Sequence, residues 1–116
     1  MTENERLLKL VCGSAKRALS SQTPSTLRVY SFSINHDAKR ILLRAHFGES
    51  PSEDDLEAIS IIETEIDADF LDHFEGRTDT EVVASGKSLS FLPGGVAYLR
   101  KGEPGKLCAE CRAIQF

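Results

Sequence analysis

Residues 49–75 narrow the possible folds of this chain more than any other stretch, because they combine an apolar stripe with a dense run of carboxylates. The apolar residues recur at the three- and four-residue spacing of an α-helix. They are Leu56, Ile59, Ile62, Ile66 and Phe70. Ser50 or Ser52 is suited to the N-cap, and Pro51 to the first turn. We therefore predict an amphipathic helix whose stripe packs on another layer.

The charge of this stretch is as unusual as its periodicity. It contains eleven of the eighteen acidic residues and no lysine or arginine, so the net charge of −4 conceals a strongly polarised chain. Asp67, Asp69 and Asp72 fall near the C-terminal end, where the helix dipole disfavours acids. Like charges four residues apart, such as Glu65 and Asp69, cost roughly 0.2–0.5 kcal/mol per pair in isolated helices. These carboxylates form either an ordinary solvated face or a surface kept for a partner.

Two residues of the predicted helix depart from its pattern. Ile61 falls opposite the apolar stripe, close to Glu57 and Glu65, like an apolar anchor within a polar rim. It is alternatively an ordinary exposed residue, or one covered by a second layer. Glu63 falls beside the stripe, where we expect it to pair with an arginine of the adjoining sheet. A catalytic role for Glu63 is the sharper alternative, although no histidine accompanies it.

The rest of the chain predicts one further helix and four strands. Thr2 and Glu5 have the spacing of a capping box before an amphipathic helix that ends near residue 20. Residues 27–34 and 40–47 are rich in strand formers and flank a hairpin loop, so we expect an antiparallel pair. Residues 80–83 and 96–100 predict two more strands. Residues 85–95 predict a loop, and residues 102–116 a tail.

These elements predict a single α+β domain over residues 1–116 in the order α-β-β-α-β-β. A mostly antiparallel sheet would carry both helices on one face. A length of 116 residues fits one domain with a modest core.

Composition limits the classes of partner. An acidic chain disfavours direct contact with nucleic acid or with a negatively charged membrane, and favours a basic protein. We find no signal peptide and no segment long enough to span a membrane, so we expect a cytoplasmic protein. The three cysteines are an odd number, and we expect reduced thiols.

No motif in the chain has the pattern of a catalytic or metal site. Cys108 and Cys111 form a CxxC pair, but the histidines do not supply further zinc ligands at a suitable spacing. A zinc site and a redox dithiol are the alternatives to two ordinary cysteines. His36 and His73 each adjoin an aspartate but have no clear nucleophile. Residues 85–87 lack the spacing of a phosphate-binding loop. We therefore predict no cofactor and no metal.

Residues 40–48, 50–70 and 95–103 together resemble a family of small bacterial immunity proteins. These proteins belong to polymorphic toxin and contact-dependent growth inhibition systems, and the likeness extends over residues 27–103. Its most telling parts are residues 63–65, 68–70 and 98–101. The resemblance implies a non-enzymatic toxin inhibitor, as in a toxin–antitoxin pair, which binds and blocks the C-terminal domain of a cognate toxin. Such toxins are often nucleases with a basic cleft.

We therefore predict an immunity protein that is monomeric when free and uses an acidic surface to bind a basic nuclease toxin. The predicted partner-binding residues are Glu57, Ile61, Glu65, Asp69, Asp72 and Glu75. Glu53, Asp54 and Asp55 are expected to act mainly on the association rate. The alternative function is a ligand-binding or enzymatic α+β module, with Glu63 and a sheet arginine or His46 in a helix–sheet cleft. A third is a structural subunit docked on a basic partner.

Overall fold

A computed structural model describes residues 3–35, 37, 39–70, 78–83 and 92–100. Within these ranges the chain forms two helices and four strands. In chain order they are α1 (Glu3–Ser21), β1 (Leu27–Asn35), β2 (Arg40–Phe47), α2 (Glu53–Asp69), β3 (Thr78–Val83) and β4 (Gly95–Leu99). The predicted α+β class and element order are confirmed, and the predicted bounds of β2 are those observed.

The four strands form one mixed sheet in the order β3-β2-β1-β4. β1 pairs antiparallel with β2 and with β4, whereas β3 lies parallel to β2. The parallel pair follows from the connection, because α2 carries the chain back along the sheet before β3 begins. α2 therefore runs beside the outer strand β3, and this placement determines which of its faces remain exposed.

Both helices pack on the same face of the sheet, and the core lies between the two layers. Alternate residues of a strand point to opposite faces. In β1 and β2, Tyr30, Phe32 and Leu43 point towards the helices and are at most 1 % exposed. From α1, Val11 and Leu19 complete the core on that side and are fully buried. The predicted packing of both helices on one face is thus confirmed.

The apolar stripe of α2 is largely as predicted. Ile59, Ile62, Ile66 and Phe70 are buried, with at most 4 % of each residue exposed. Leu56 was expected in the same stripe, but 44 % of it is exposed. The prediction for Leu56 is wrong because a wheel groups residues by angle alone, and the sheet covers only part of that angle.

Cys12 is 1 % exposed and packs in the core, but it is disulfide-bonded rather than a free thiol. The expectation of reduced cysteines is therefore wrong for Cys12. The predictions for Cys108 and Cys111 lie outside the described residues. So do the Thr2 cap, His36, His73, residues 85–87 and the tail.

Candidate functional site

The N-terminus of α2 is fixed by a capping box with an additional partner. The Ser52 hydroxyl accepts a hydrogen bond from the Asp55 backbone N–H at 3.1 Å, and the Asp55 carboxylate accepts one from the Ser52 N–H at 3.2 Å. The same carboxylate oxygen accepts a hydrogen bond from the Thr26 hydroxyl at 3.1 Å. Asp55 is only 7 % exposed. Asp55 therefore joins α2 to the segment before β1, and its contribution to the association rate stays a prediction.

Two acids near the C-terminal end of α2 also have internal partners. The Asp67 carboxylate accepts a hydrogen bond of 2.7 Å from the Thr78 hydroxyl of β3. The Asp69 carboxylate accepts one of 2.5 Å from the Ser14 hydroxyl of α1, and lies 3.5 Å from an Arg17 guanidinium nitrogen. These bonds offset the unfavourable position of both acids in the helix dipole. Part of the charge that the sequence shows is therefore used within the fold.

The remaining first-turn acids and two glutamates of α2 project outward. Glu53, Asp54, Glu57 and Glu65 are all exposed, and Ile61 is half-buried among them. None of the four acids forms an ion pair with another described residue. We call these five residues the acidic face of α2. It presents four carboxylates without a cationic partner among the described residues, around one apolar side chain.

Hydrogen bonds to neighbouring elements separate the carboxylates of α2 into two groups. Asp55, Asp67 and Asp69 hold neighbouring elements through short side chains, whereas Glu57 and Glu65 extend into solvent. A short acid keeps its carboxylate near its own backbone, within reach of an adjacent hydroxyl. Net charge alone groups these acids as one set and does not indicate this division. Residue type gives a partial signal, because Asp54 is exposed as the glutamates are.

The predicted partner-binding residues are thus only partly brought together. Glu57, Ile61 and Glu65 lie on the acidic face, and Glu65 also lines an open groove between α1 and α2 together with Asp69. The groove has a volume of about 420 Å³ and includes Arg17, which compensates part of the Asp69 charge. Asp72 and Glu75 lie outside the described residues.

Glu63 does not pair with a sheet arginine, and this expectation is wrong. Arg40 pairs with Asp79 at 3.0 Å, and Arg44 pairs with Glu81 at 3.0 Å. Both arginines occupy alternate positions of β2 whose side chains point away from the helices. The half-buried Glu63 lies on the helix side of the sheet.

The Glu63 carboxylate lies close enough to Tyr30 to influence its ionisation. Burial raises the pKa of Tyr30, the nearby Thr80 hydroxyl lowers it, and the Glu63 carboxylate raises it further. The Tyr30 and Thr80 hydroxyl oxygens are buried and lack hydrogen bonds in good geometry. Tyr30 therefore remains protonated at physiological pH and is not poised as a base.

His46 lies on the opposite side of the sheet from Glu63. It is 2 % exposed, and burial lowers its pKa, assisted by the charges of Arg44 and Arg28 and opposed by Glu81. The sheet separates His46 and Arg44 from Glu63, because β2 turns its even-numbered residues away from the helices. The catalytic cleft of the alternative function is therefore not assembled around these residues.

The described residues give no structural basis for a metal site. Among them, histidine, cysteine, aspartate and glutamate nowhere gather in a group of three or more suited to a metal ion. Neither of the described helices combines the length and the apolar composition that spanning a bilayer requires.

Comparison with known families identifies the domain. The sequence model described as "MafI2 immunity protein" matches residues 9–102. The chain belongs to this family. No curated protein matches the chain. The MafI2 match confirms the resemblance to bacterial immunity proteins of polymorphic toxin systems, and it extends the similarity from residue 27 back into α1.

Membership in the MafI2 immunity family implies a function for the domain as a whole. An immunity protein neutralises a toxin, so the family implies a cognate toxin as partner and a non-enzymatic inhibitor as mode of action. The acidic face and the α1–α2 groove are then candidate parts of the toxin contact.

Proposed function

We propose that this protein neutralises a nuclease toxin by placing the acidic face of α2 against the basic surface that binds nucleic acid. The observation that supports the proposal is the exposure of Glu57 and Glu65 around Ile61, without cationic partners among the described residues. Carboxylates on this face would occupy positions that phosphates occupy in the toxin's substrate. Ile61 would provide an apolar contact within the charged rim.

The exposed carboxylates of the acidic face favour rapid capture of such a toxin. On the far side of the sheet, Arg40 and Arg44 are matched in charge by Asp79 and Glu81, whereas the acidic face has no described cationic partner. A basic partner is therefore attracted most strongly to the acidic face and oriented before contact. We place this encounter in the cytoplasm of the producing cell, before the toxin reaches nucleic acid, with a monomeric inhibitor.

Charge reversal tests the acidic face directly. The combined substitutions Glu57→Lys and Glu65→Lys change two exposed, unpaired side chains and should leave the fold intact. The matched control combines Glu5→Lys and Asp37→Lys, which changes net charge equally at exposed positions away from α2. We expect the α2 variant to lose protection in cells that express the cognate toxin, and the control to keep most of it.

Association kinetics provide a second readout on the purified pair. The association rate of the wild-type protein with the toxin domain should fall steeply as ionic strength rises from about 0.01 to 0.15 M, where the screening length drops from roughly 30 to 8 Å. The α2 variant should show a slower rate and a flatter salt dependence. Full protection by this variant, with unchanged kinetics, would contradict the proposed interface.

A further inference from the structure

The outer strand β3 and the adjoining edge of α2 expose apolar side chains that the acidic face does not include. Large hydrophobic side chains of the described chain are exposed at Leu10, Leu56 and Val82. Leu10 is on α1, whereas Leu56 and Val82 belong to neighbouring elements on one edge of the fold. Single exposed apolar residues are ordinary, so the functional significance of Leu56 and Val82 depends on where they lie relative to each other.

Helix and strand geometry place Leu56 and Val82 towards the same end of the edge formed by α2 and β3. The hydrogen bond between Asp67 and Thr78 joins α2 to β3 at one point. Leu56 precedes Asp67 by eleven residues, about three helical turns, so it lies on the same side of α2, roughly 16 Å away along the axis. Val82 follows Thr78 by four residues, on the same face of β3 and roughly 13 Å along the strand. The two side chains therefore lie towards the same end of this edge.

The backbone of β3 offers a second kind of contact at this edge. β3 is the outer strand of the described sheet and pairs with β2 on one side. An outer strand directs half of its N–H and C=O groups away from the sheet, ready to pair with another chain. Side chains on the face away from the helices, Asp79 and Glu81, are 58 % and 61 % exposed.

We propose that β3, together with Leu56, forms a second part of the toxin contact and pairs with an extended segment that alternates basic and apolar residues. The proposal rests on the function proposed above and specifies the partner's chemistry. Basic side chains of the segment would meet Asp79 and Glu81, and its apolar side chains would meet Val82 and Leu56. Backbone hydrogen bonds to β3 would give affinity, and the alternation would give register.

Charge disfavours a second copy of this chain as the occupant. Antiparallel pairing of β3 with itself, centred on its middle residues, places Asp79 opposite Glu81 or Glu81 opposite its own copy. Like charges directly opposite each other destabilise a strand pair. A basic segment gains from the same positions, since each carboxylate would lie between its own arginine and a partner's cation.

A peptide probe tests the strand pairing on the unmodified full chain. The probe is a capped hexapeptide of alternating lysine and valine, and amide chemical shifts of the protein are followed by NMR. We expect the largest shifts at Asp79–Val83, at least twofold weaker binding for a peptide with three lysines followed by three valines, and none for a backbone N-methylated peptide. Shifts confined to the acidic face, or equal binding of all three peptides, would overturn the proposal.

Substitutions at matched exposure test the same edge with the toxin domain itself. Leu56→Lys and Val82→Lys place a cation where an approaching basic segment would be repelled, and we expect the dissociation constant to rise at least tenfold for each. Leu10→Lys is the control, because Leu10 is 45 % exposed against 44 % for Leu56. Unchanged binding by both edge variants would overturn this inference. If the edge variants bound normally but the variant with Glu57→Lys and Glu65→Lys failed to bind, the proposed function would stand without the β3 contact.

Discussion

Replacement of Asp55 by alanine should destabilise the protein far more than replacement of the adjacent Asp54. Both acids lie in the first turn of α2 and both favour the helix dipole, but only Asp55 is buried. Its carboxylate accepts hydrogen bonds from the Ser52 N–H and the Thr26 hydroxyl. The comparison therefore separates hydrogen bonding from charge at one helix terminus.

The expected loss in the free energy of unfolding follows from the two hydrogen bonds of Asp55. Loss of the capping interaction costs about 1 kcal/mol. Loss of the bond from Thr26, whose half-buried hydroxyl then lacks its acceptor, costs about 1–3 kcal/mol. We therefore expect Asp55→Ala to lower the free energy of unfolding by roughly 2–4 kcal/mol. Asp54→Ala removes only a dipole interaction of about 0.3–1 kcal/mol, partly offset by the helix propensity of alanine.

Urea denaturation, followed by far-ultraviolet circular dichroism, measures both variants at neutral pH. Asp55→Asn keeps an acceptor for Thr26 and should fall between wild type and Asp55→Ala. In a thermal scan, Asp55→Ala should lower Tm by roughly 8–16 °C for a domain of this size. Equal midpoints for Asp54→Ala and Asp55→Ala would refute the assignment of Asp55 as a structural acid.

Four further predictions concern other parts of the fold. The folded state lowers the pKa of His46 from its ordinary 6.5. As the pH falls, the unfolded chain therefore takes up a proton first, so stability should fall below about pH 6.5 and level off below the folded pKa. His46→Gln should flatten this part of a curve of Tm against pH. Removing the Cys12 disulfide by reduction or by Cys12→Ser should cost about 2–4 kcal/mol in urea titrations, and the reductant should have no further effect on the variant. Gly94→Ala should destabilise by about 1–3 kcal/mol, since a Cβ there would lie 2.5 Å from the Phe32 carbonyl oxygen. Gly13→Ala should instead stabilise α1 by up to about 1 kcal/mol in the same assay, because its Cβ would contact only Arg17, at 3.4 Å.

Periodicity was sufficient to predict the helices and strands. The stripe of α2 and the alternation of β2 each reflect burial on one side of a regular element, so the pattern in the sequence survives folding. The family resemblance was also confirmed, because it rested on several separated segments rather than on one motif. Element order, fold class and family were therefore accessible from the sequence.

Side-chain partners across elements were not accessible in the same way. Glu63 was expected to meet an arginine, but the arginines of β2 point to the other face and meet acids of β3. That pairing depends on β3 lying parallel beside β2, and no local pattern in either strand specifies it. The predicted burial of Leu56 was wrong for a related reason, since its exposure depends on where the sheet ends.

The division of the α2 acids into hydrogen-bonded and outward-facing groups has an evolutionary consequence. Asp55, Asp67 and Asp69 tie the helix to three other segments, whereas Glu57 and Glu65 make no described contact of that kind. If the acidic face binds the toxin as proposed, specificity can diverge at Glu57 and Glu65 while these three aspartates preserve the scaffold. A sister protein that resists a different toxin should differ first at positions 57 and 65.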